Sequence, residues 1–313
     1  MFEKVQALQE SVGNKIVGKD ELIVRVIAAL LAEGHVLLED VPGVGKTSLA
    51  KALAESISLS FARIQCTPDT TPSDITGVSI YNSKEQSFSV MTGPVVNNIV
   101  LVDELNRTSP KTQSALLEVM AENKVTIDGK EIPVPKPFMV IGTQNPAEMA
   151  GTYPLPESQL DRFMLKLSVG YPSKEASIDM TERFLSGSLQ ETIPPVLNAD
   201  DIEKMQIEVR AVTIKDNLRE YAVNIVDATR NNSEIACGAS PRGLLLMLRF
   251  AQSLAFMEKR NYCIPEDIAQ AASLVLPHRL ILTTDAKIGG TTKEYVIKKI
   301  LEQVRCADSI FVK

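Results

Sequence analysis

The stretch LLEDVPGVGKTSLAKAL, from Leu37 to Leu53, decides the fold of the first half of the chain. Gly45, Lys46 and Thr47 match the second half of the phosphate-binding pattern G-x-x-x-x-G-K-[ST], in which backbone amides of a glycine-rich turn meet phosphate oxygens. Asp40 stands where the pattern has its first glycine. An apolar strand pattern precedes the loop and a helical pattern follows it, which is the order that a true phosphate loop requires. We therefore interpret the stretch as a phosphate loop. Asp40 is compatible with this interpretation, because Asp tolerates unusual backbone angles better than most residues do.

Length and composition describe an ordinary globular protein with a mildly acidic surface. The chain has 313 residues, of which 44% are hydrophobic and 23% charged, and this length allows two domains. A net charge of −6 disfavours a general binder of nucleic acid or anionic lipid. No apolar run reaches the ~20 residues of a membrane helix, and the charged, amphipathic N-terminus is unlike a signal peptide.

The cysteines and histidines predict structural roles. They are Cys66, Cys237, Cys263, Cys306, His35 and His278, and no two cysteines form a C-x-x-C pair. Such spacing disfavours a zinc site and favours reduced cysteines, which places the chain in the cytoplasm.

Short apolar runs alternate with helical patterns over the first 170 residues. The predicted strands are residues 35–39, 62–66, 98–103, 138–143 and 163–167, and predicted helices cover 47–58 and 109–122. Near-continuous apolar strands separated by helices are typical of a parallel sheet covered on both faces. Two segments interrupt this order, at 78–91 and 124–134, and both predict inserted β-hairpins, the second through its Asp128-Gly129 turn.

A Pro- and Ser-rich connector at 186–201 separates this α/β region from a purely helical one. The amphipathic segments beyond it predict a small helical bundle. The fold class is therefore a three-layer α/β domain with a parallel sheet and inserted β-hairpins, followed by a smaller all-α domain. We place the domains at residues 1–190 and 191–313.

Polar side chains end two of the predicted strands, and each has a role beside a phosphate loop. Lys46 would reach the β- and γ-phosphates of ATP, and Thr47 would ligate Mg²⁺. Asp103 would hold Mg²⁺ through water, and Glu104 would polarise the attacking water. Asn145, after the strand at 138–143, would orient that water or touch the γ-phosphate. A solvated strand end and a plain Asn-Pro turn are the alternative interpretations of these sites.

Two arginines complete the candidate catalytic set. Arg162 lies before a predicted strand, where a surface salt bridge is the common role of an isolated arginine. Arg242 lies in the first turn of a predicted helix, where a cation opposes the helix dipole. Its position therefore indicates that it meets an anion.

Three longer segments resemble the MoxR group of AAA+ ATPases. They are RIQCTPDTTPSDITG, GPVVNNIVLVDELNRTSPKTQSALLEVMAE and GTQNPAEMAGTYPLPESQLDRF. The resemblance runs from about Ile16 to Leu280. The form E-D-V-P-G-V-G-K-T is similar to a frequent MoxR variant of the loop, so Asp40 breaks the general pattern but fits the family.

The resemblance implies an AAA+ domain with a helical lid and assigns further residues. Arg162 would be the arginine finger that enters the neighbouring subunit's site, and Arg242 the lid sensor for its own subunit's nucleotide. Arg107 would lie at the subunit interface without a catalytic role. Both hairpins would face the axis of a ring. The nucleotide-binding residues would be Val17, Gly18, Pro42, Gly43, Val44, Gly45, Lys46, Thr47 and Ser48.

The leading hypothesis is a ring-forming, ATP-hydrolysing, chaperone-like motor that requires Mg²⁺. The family implies a homo-hexamer that matures or remodels a protein partner, of a von Willebrand-type or related metal-binding kind. The composition and the lack of a long apolar run argue against membrane insertion and nucleic-acid binding. One alternative is an ATP-dependent scaffold with negligible hydrolysis, and another is a nucleic-acid-associated motor. The acidic pI near 5.2 weighs against the second. A P-loop kinase is disfavoured because no acceptor-substrate site is recognisable.

Overall fold

The computed structural model describes residues 2–39, 43–84, 86–145, 152–187 and 194–306. The first elements are α1 (Phe2–Lys15), α2 (Asp20–Leu31), β1 (Val36–Glu39), α3 (Lys46–Ser56), β2 (Phe61–Gln65), α4 (Pro72–Thr76), β3 (Gly77–Asn82), β4 (Ser87–Thr92) and β5 (Ile99–Asp103). The chain continues with α5 (Pro110–Glu122), β6 (Lys124–Ile127), β7 (Lys130–Pro133), β8 (Met139–Gln144), α6 (Glu157–Leu160), β9 (Leu165–Leu167) and α7 (Lys174–Ser186). The last elements are α8 (Ala199–Ala211), α9 (Asp216–Arg230), β10 (Ile235–Cys237), α10 (Pro241–Met257), α11 (Pro265–Val275), β11 (Ile281–Leu282), α12 (Thr284–Ile288) and α13 (Lys293–Gln303).

The chain divides into two compact units. Residues 3–155 and 167–203 belong to the first unit, and residues 156–166 and those from 204 onward belong to the second. The boundary that the sequence suggests, between residues 190 and 191, stays a prediction because residues 188–193 lie outside the described ranges.

A five-stranded sheet forms the centre of the α/β fold, in the order β2-β5-β8-β1-β9. β2 pairs with β5, β5 with β8, and β8 with β1, all in parallel. Every residue of β5 is buried, so both faces of the sheet are covered there, as the apolar run predicts. Each fully buried Val, Leu or Ile side chain in such a strand contributes about 1.5–3 kcal/mol. The predicted parallel α/β fold is confirmed.

Both interruptions of the α/β pattern are antiparallel hairpins. β3 pairs with β4 and β6 with β7, each as a separate two-stranded sheet. Asp128 and Gly129 connect β6 to β7 with φ of 48° and 76°. Positive φ at both central residues is the requirement of the tight hairpin turn that Asp-Gly predicts.

Helix α5 begins where its sequence predicts. The Ser109 hydroxyl accepts a hydrogen bond from the Thr112 N–H at 3.3 Å, and Pro110 takes the first helical position. A serine cap satisfies one of the backbone donors that the first helical turn leaves unpaired, and proline has no such donor.

The second unit is mainly helical. From residue 204 onward it contains most of α8 and the helices α9 to α13. Its core includes Phe250, Ile225, Ile268 and Ile300, all of which are essentially inaccessible. β10 and β11 add a short antiparallel ribbon that the sequence pattern does not predict. Three- and two-residue strands carry too little alternation to be recognised from sequence. Among the helices of the described ranges, none is both long and apolar enough to cross a membrane.

Candidate active site

The loop between β1 and α3 has the backbone of an anion-binding turn. Gly43 and Gly45 adopt φ of 84° and 92°, which glycine reaches without strain. Gly45 precedes α3, and its carbonyl accepts the Leu49 N–H at 3.0 Å as the first bond of the helix. The start of a helix that follows such a loop is a common binding site for anions. Pro42 lies outside the described residues, as does Asp40.

A cavity of about 320 Å³ opens beside this loop at the carboxyl ends of the strands. Its lining residues are Gly43, Gly45, Lys46, Thr47, Ser48, Arg63, Gln65, Asp103, Glu104, Thr143 and Asn145. The loop therefore shares one cavity with the ends of β2, β5 and β8. Ligands of open α/β sheets bind at this edge.

Asp103, the last residue of β5, is buried and held on both carboxylate oxygens. Arg63 Nε donates to Oδ2 at 2.7 Å, and the Thr143 hydroxyl donates to Oδ1 at 3.2 Å. The Arg63 side chain is 50% exposed, whereas that of Asp103 is only 10% exposed. A buried carboxylate is stable only when it is paired, so Asp103 requires a cation beside it. The carboxylate of Asp103 and the hydroxyl of Thr47 are oxygen ligands of the kind that Mg²⁺ prefers.

Glu104 turns sharply out of the strand. It adopts φ 58° and ψ 47°, a left-handed conformation that is uncommon for a residue with a side chain. Its N–H donates to Thr143 Oγ1 at 2.9 Å. Its Oε2 accepts a hydrogen bond from Gln65 Nε2 at 3.2 Å and lies 3.4 Å from Arg107 Nε. The backbone turn thus aims the Glu104 carboxylate into the cavity, where neighbours hold it.

The end of β8 alternates its polar side chains between two sides. Thr143 and Asn145 line the cavity, whereas Gln144 points away from it, and its Nε2 donates to Glu39 Oε1 at 2.7 Å. This is the alternation of a strand, and it explains why Asn145 rather than Gln144 meets the site. Asn145 is 94% buried, its exposed fraction being 6%.

A second, more apolar cavity of about 330 Å³ adjoins the loop. Its lining residues are Lys15, Ile16, Val17, Lys19, Gly43, Val44, Gly45, Ser48, Tyr171, Pro172, Ala176 and Met180. Gly18 packs against one wall, because a Cβ there would lie 2.5 Å from the Ala176 Cβ. Lys19 Nζ joins the two walls through the carbonyls of Gly170 and Tyr171 at 3.0 and 2.8 Å. The position suits the base and ribose of a nucleotide whose phosphates meet the loop.

Sequence reasoning missed three cavity residues, Arg63, Gln65 and Thr143. Arg63 and Gln65 are spaced by two in β2, so they share a face of the strand. Polar residues with period two in an otherwise apolar strand were the available signal. Cys66, the next residue, is buried, and burial followed by the charges of Asp103 and Glu104 raises the pKa of its thiol to about 12. The Cys66 thiol is therefore inert near neutral pH.

The second unit brings the two candidate arginines near each other. Arg162 follows α6, and Arg242 lies in the first turn of α10. Burial, then the like charge of Arg162, lowers the pKa of the Arg242 guanidinium, against the opposing effect of Asp161. The two guanidinium groups therefore repel each other, and an anion would relieve that repulsion.

The first unit thus gathers five of the predicted loop residues, Gly43 and residues 45–48, with Asp103, Glu104 and Asn145 around one cavity, and Val17 with Val44 around its neighbour. A parallel sheet with a phosphate loop after β1, carboxylates at the end of β5 and a polar end on β8 defines a P-loop nucleoside triphosphatase.

Comparisons with known proteins narrow this class. Residues 35–165 match the family model described as "ATPase family associated with various cellular activities (AAA)", and residues 227–300 match an AAA lid domain. The chain is 49% identical to the uncharacterized protein YeaC of Bacillus subtilis, covering 95% of this chain and 92% of YeaC. It is 43% identical to Chaperone MoxR1 of Mycobacterium tuberculosis, over 92% of this chain and 78% of MoxR1.

A solved structure is also similar to this chain. The crystal structure of a candidate ATPase from Cytophaga hutchinsonii superposes with a TM-score of 0.92 at 38% identity, covering 98% of this chain and 96% of that one. The chain belongs to the MoxR family of AAA+ ATPases.

Proposed function

We propose that the chain binds ATP with Mg²⁺ and hydrolyses it to ADP and phosphate, in order to remodel or mature a partner protein. The observation that carries this proposal is the single cavity that the phosphate loop shares with Asp103, Glu104 and Asn145. A protein that only binds nucleotide has no need of a second carboxylate at that position.

Binding and charge compensation fall to the loop. The first-turn amides of α3 and the Lys46 ammonium would bind the β- and γ-phosphates, and Ser48 lies in the same turn. Mg²⁺, bound by the Thr47 hydroxyl and through water by Asp103, would neutralise phosphate charge. The apolar cavity with Val17 would take the adenine.

Glu104 would accept the proton of the attacking water, and Asn145 would orient that water. Glu104 is suited to this work because its left-handed backbone directs the carboxylate into the cavity while Gln65 and Arg107 restrict it. In this geometry both neighbours compete with water for Oε2. We therefore expect slow turnover until one of them moves.

Arg162 would act on the nucleotide of a neighbouring subunit, and Arg242 on that of its own subunit. Charge stabilisation by an arginine finger accelerates phosphoryl transfer by about 10³–10⁵ where it has been measured. This division of labour implies a closed ring of identical subunits, and six is the number that the family suggests.

The client would be a protein, and the hairpin of β3 and β4 would contact it. Tyr81, Phe88 and Met91 are 51%, 65% and 62% exposed on this hairpin, a concentration of apolar surface that suits protein contacts. The similarity to a protein named as a chaperone supports a client role. A von Willebrand-type or related metal-binding partner is the class that we propose, encountered in the cytoplasm.

The test separates binding from chemistry. Lys46→Ala removes the main phosphate counter-charge and should abolish ATP binding in calorimetry, whereas Lys51→Ala, on the same helix but beyond its first turn, should bind normally. Glu104→Gln should bind ATP as the parent does and lower turnover by ~10²-fold or more. Equal nucleotide affinity in Lys46→Ala and the parent would refute the assignment of the loop.

The scaffold alternative gives a different result in the same experiment. The contacts of Gln65 and Arg107 to Glu104 favour a low basal rate, which a scaffold would also show. A scaffold predicts equal, negligible turnover in the parent and Glu104→Gln. An ATP-loaded Glu104→Gln protein used as bait in cell extract would then identify the client, with Lys46→Ala as the bait that should not retain it.

A further inference from the structure

A buried arginine of the second unit holds the backbone and side chain next to Arg162. Arg279 is only 1% exposed, and its Nε donates to Asp161 Oδ1 at 2.9 Å. One of its terminal nitrogens donates to the carbonyls of Asp161 and Phe163 at 3.1 and 2.7 Å. The other contacts the Met164 carbonyl at 3.3 Å and that of Val275. These bonds bracket Arg162 on both sides along the chain.

The same carboxylate reaches the helix that carries Arg242. The Ser240 hydroxyl lies 3.1 and 3.0 Å from the two oxygens of Asp161, to which it donates. Ser240 is also the cap of α10, since its Oγ accepts the Gly243 N–H at 3.0 Å. Arg242 lies between these two residues in sequence, so its backbone is tied to Asp161 through Ser240.

Gly243 allows the close approach of Arg279 to α10. A Cβ at Gly243 would lie 2.9 Å from Arg279 Cδ and 3.4 Å from its Nε. The Arg279 side chain has little freedom to move aside, because its guanidinium is bonded to four carbonyls and one carboxylate. The sequence S-P-R-G therefore supplies a cap, a helix start, a cation and a gap for the buried arginine.

We propose that Asp161, held by Arg279 and Ser240, is a positioning residue that sets the separation of Arg162 and Arg242. This inference rests on the proposed function, in which both arginines act on nucleotide phosphates. Asp161 precedes Arg162 directly and fixes the start of α10 through Ser240. A shift of either arginine is therefore passed to the other, which couples the finger to the lid sensor within one subunit.

If Ser240 acted only as a helix cap, replacing it with another good capping residue would leave the rate of ATP hydrolysis unchanged. Glycine caps a helix nearly as well as serine, so Ser240→Gly keeps the cap preference but removes the bond to Asp161. Thr292→Gly is the matched control. Thr292 caps α13 by accepting the Tyr295 N–H at 3.2 Å, and it lies on a solvent-exposed start of that helix.

The experiment measures kcat and KM for ATP in the full-length chain, together with the melting temperature. We expect Ser240→Gly to lower kcat between about tenfold and a hundredfold with KM little changed, the scale of a catalytic group misplaced by about 1 Å. Thr292→Gly should match the parent in kcat. Ser240→Thr keeps the hydroxyl and should therefore have a kcat close to that of the parent.

A second variant perturbs the network from the other side. Gly243→Ala favours the helix but pushes Arg279 from its place, so it should lower kcat. Any fall in the melting temperature of this variant would come from the displaced arginine and not from helix propensity. In an Arg242→Ala background, Ser240→Gly should add a smaller loss than it causes alone, because the two changes act on one path.

The outcomes separate the inference from the function on which it rests. Normal kcat in both Ser240→Gly and Gly243→Ala, beside an Arg162→Ala protein that has lost activity, would overturn the inference alone. Equal losses in Ser240→Gly and Thr292→Gly would also overturn it. A parent that hydrolyses no ATP would overturn the proposed function and this inference with it.

Discussion

Each unit contains an aspartate paired with an arginine, and the two arginines differ in exposure. In the first unit Arg63 Nε lies 2.7 Å from Asp103, and the arginine is 50% exposed. In the second unit Arg279 Nε lies 2.9 Å from Asp161, and the arginine is 1% exposed. The distances are alike, but only Arg63 can leave its partner for water.

This difference teaches what each pair can do. An exposed ion pair is weak, so a competing cation can replace Arg63 at the carboxylate of Asp103. Breaking a buried pair leaves a charge without compensation in the interior, which is strongly unfavourable. The pair in the first unit is therefore exchangeable and suits a metal-dependent step, whereas the pair in the second unit is permanent and suits the positioning of Arg162.

The largest expected effect concerns the arginine that the permanent pair positions. Arg162→Ala should fold, bind ATP nearly as the parent does, and hydrolyse it about 10³–10⁵-fold more slowly, because a finger stabilises transition-state charge. Steady-state phosphate release and calorimetric ATP binding measure the two properties. A loss of less than tenfold would match a surface salt bridge instead.

Mixing subunits tests whether Arg162 acts across an interface. Arg162→Ala and Glu104→Gln subunits are expected to be inactive alone, but a mixed ring contains junctions with an intact Glu104 facing an intact Arg162. Activity should partly return. Continued inactivity, in rings shown by mass spectrometry to contain both variants, would place Arg162 in its own subunit's site.

The proximity of Arg162 and Arg242 makes the same design informative for Arg242. If Arg242 serves its own subunit and Arg162 the neighbour, rings of Arg162→Ala and Arg242→Ala subunits should regain activity. If both arginines serve the same neighbour, no subunit in the mixture carries the complete pair, and the mixture should stay inactive.

The next largest effect is on stability. Arg279→Gln takes the buried cation from the Asp161 carboxylate and from the backbone carbonyls that it binds, which should cost about 3–5 kcal/mol of unfolding free energy. Urea unfolding of the full chain, followed by circular dichroism, measures it. Arg219→Gln is the matched control, because Arg219 pairs with Asp216 on an exposed face of α9 and should cost at most about 1 kcal/mol. Equal losses would contradict the distinction between permanent and exchangeable pairs.

The first unit could be predicted from sequence to a large extent, and the reasons are local. Near-continuous apolar runs locate β1, β2, β5 and β8, and Asp128-Gly129 locates a hairpin turn, because strand burial and turn backbone depend on neighbouring residues. The residues of the phosphate loop follow one another in the sequence, and so do the two carboxylates at the end of β5. Their meeting in one cavity follows from the parallel order of the strands.

The rest depends on contacts between distant residues. Arg279 lies more than 100 positions from Asp161, and no periodicity or spacing in a single sequence connects them. Arg63 was missed because β2 was interpreted by its apolar residues, and its partner Asp103 belongs to another strand. The left-handed conformation of Glu104 could not be predicted either, since nothing about a glutamate favours it.

A third effect tests the buried network of the second unit through pH. Burial, and then the charge of Arg279, lowers the pKa of His278 well below its ordinary 6.5, with Lys166 and Lys293 adding to the repulsion and the Phe163 carbonyl opposing it. The unfolded chain binds a proton near pH 6.5 but the folded chain does not. With respect to His278, the full free energy of unfolding is therefore present above pH 6.5. It falls as the pH drops below that value, by about 1.4 kcal/mol per pH unit.

Urea unfolding between pH 6.5 and 5.5 measures this slope, in a window above the carboxylate titrations. His278→Gln can still bond to the Phe163 carbonyl but has no proton to gain, so its stability should vary less with pH than that of the parent. Identical slopes in the two proteins would show that another group causes the acid sensitivity.

The smallest effect concerns the exchangeable pair. Arg63 neutralises Asp103 in the absence of metal, so Mg²⁺ and Arg63 compete for one carboxylate, and Arg63→Gln removes the competitor while keeping a polar side chain. We expect a smaller stability loss than in Arg279→Gln, because Thr143 still donates to the Asp103 carboxylate and the cavity that Asp103 lines admits water. The Mg²⁺ concentration for half-maximal binding of a fluorescent ADP should fall by up to about fivefold, the equivalent of about 1 kcal/mol. Arg25→Gln, in which an i,i+4 pair with Glu21 on α2 is lost, is the control and should leave the Mg²⁺ midpoint unchanged.

A higher Mg²⁺ requirement in Arg63→Gln would mean that Arg63 assists the metal or the phosphates directly. A stability loss as large as that of Arg279→Gln would mean that exposure does not distinguish the two pairs, because the carboxylate of Asp103 would then depend on its arginine as Asp161 does.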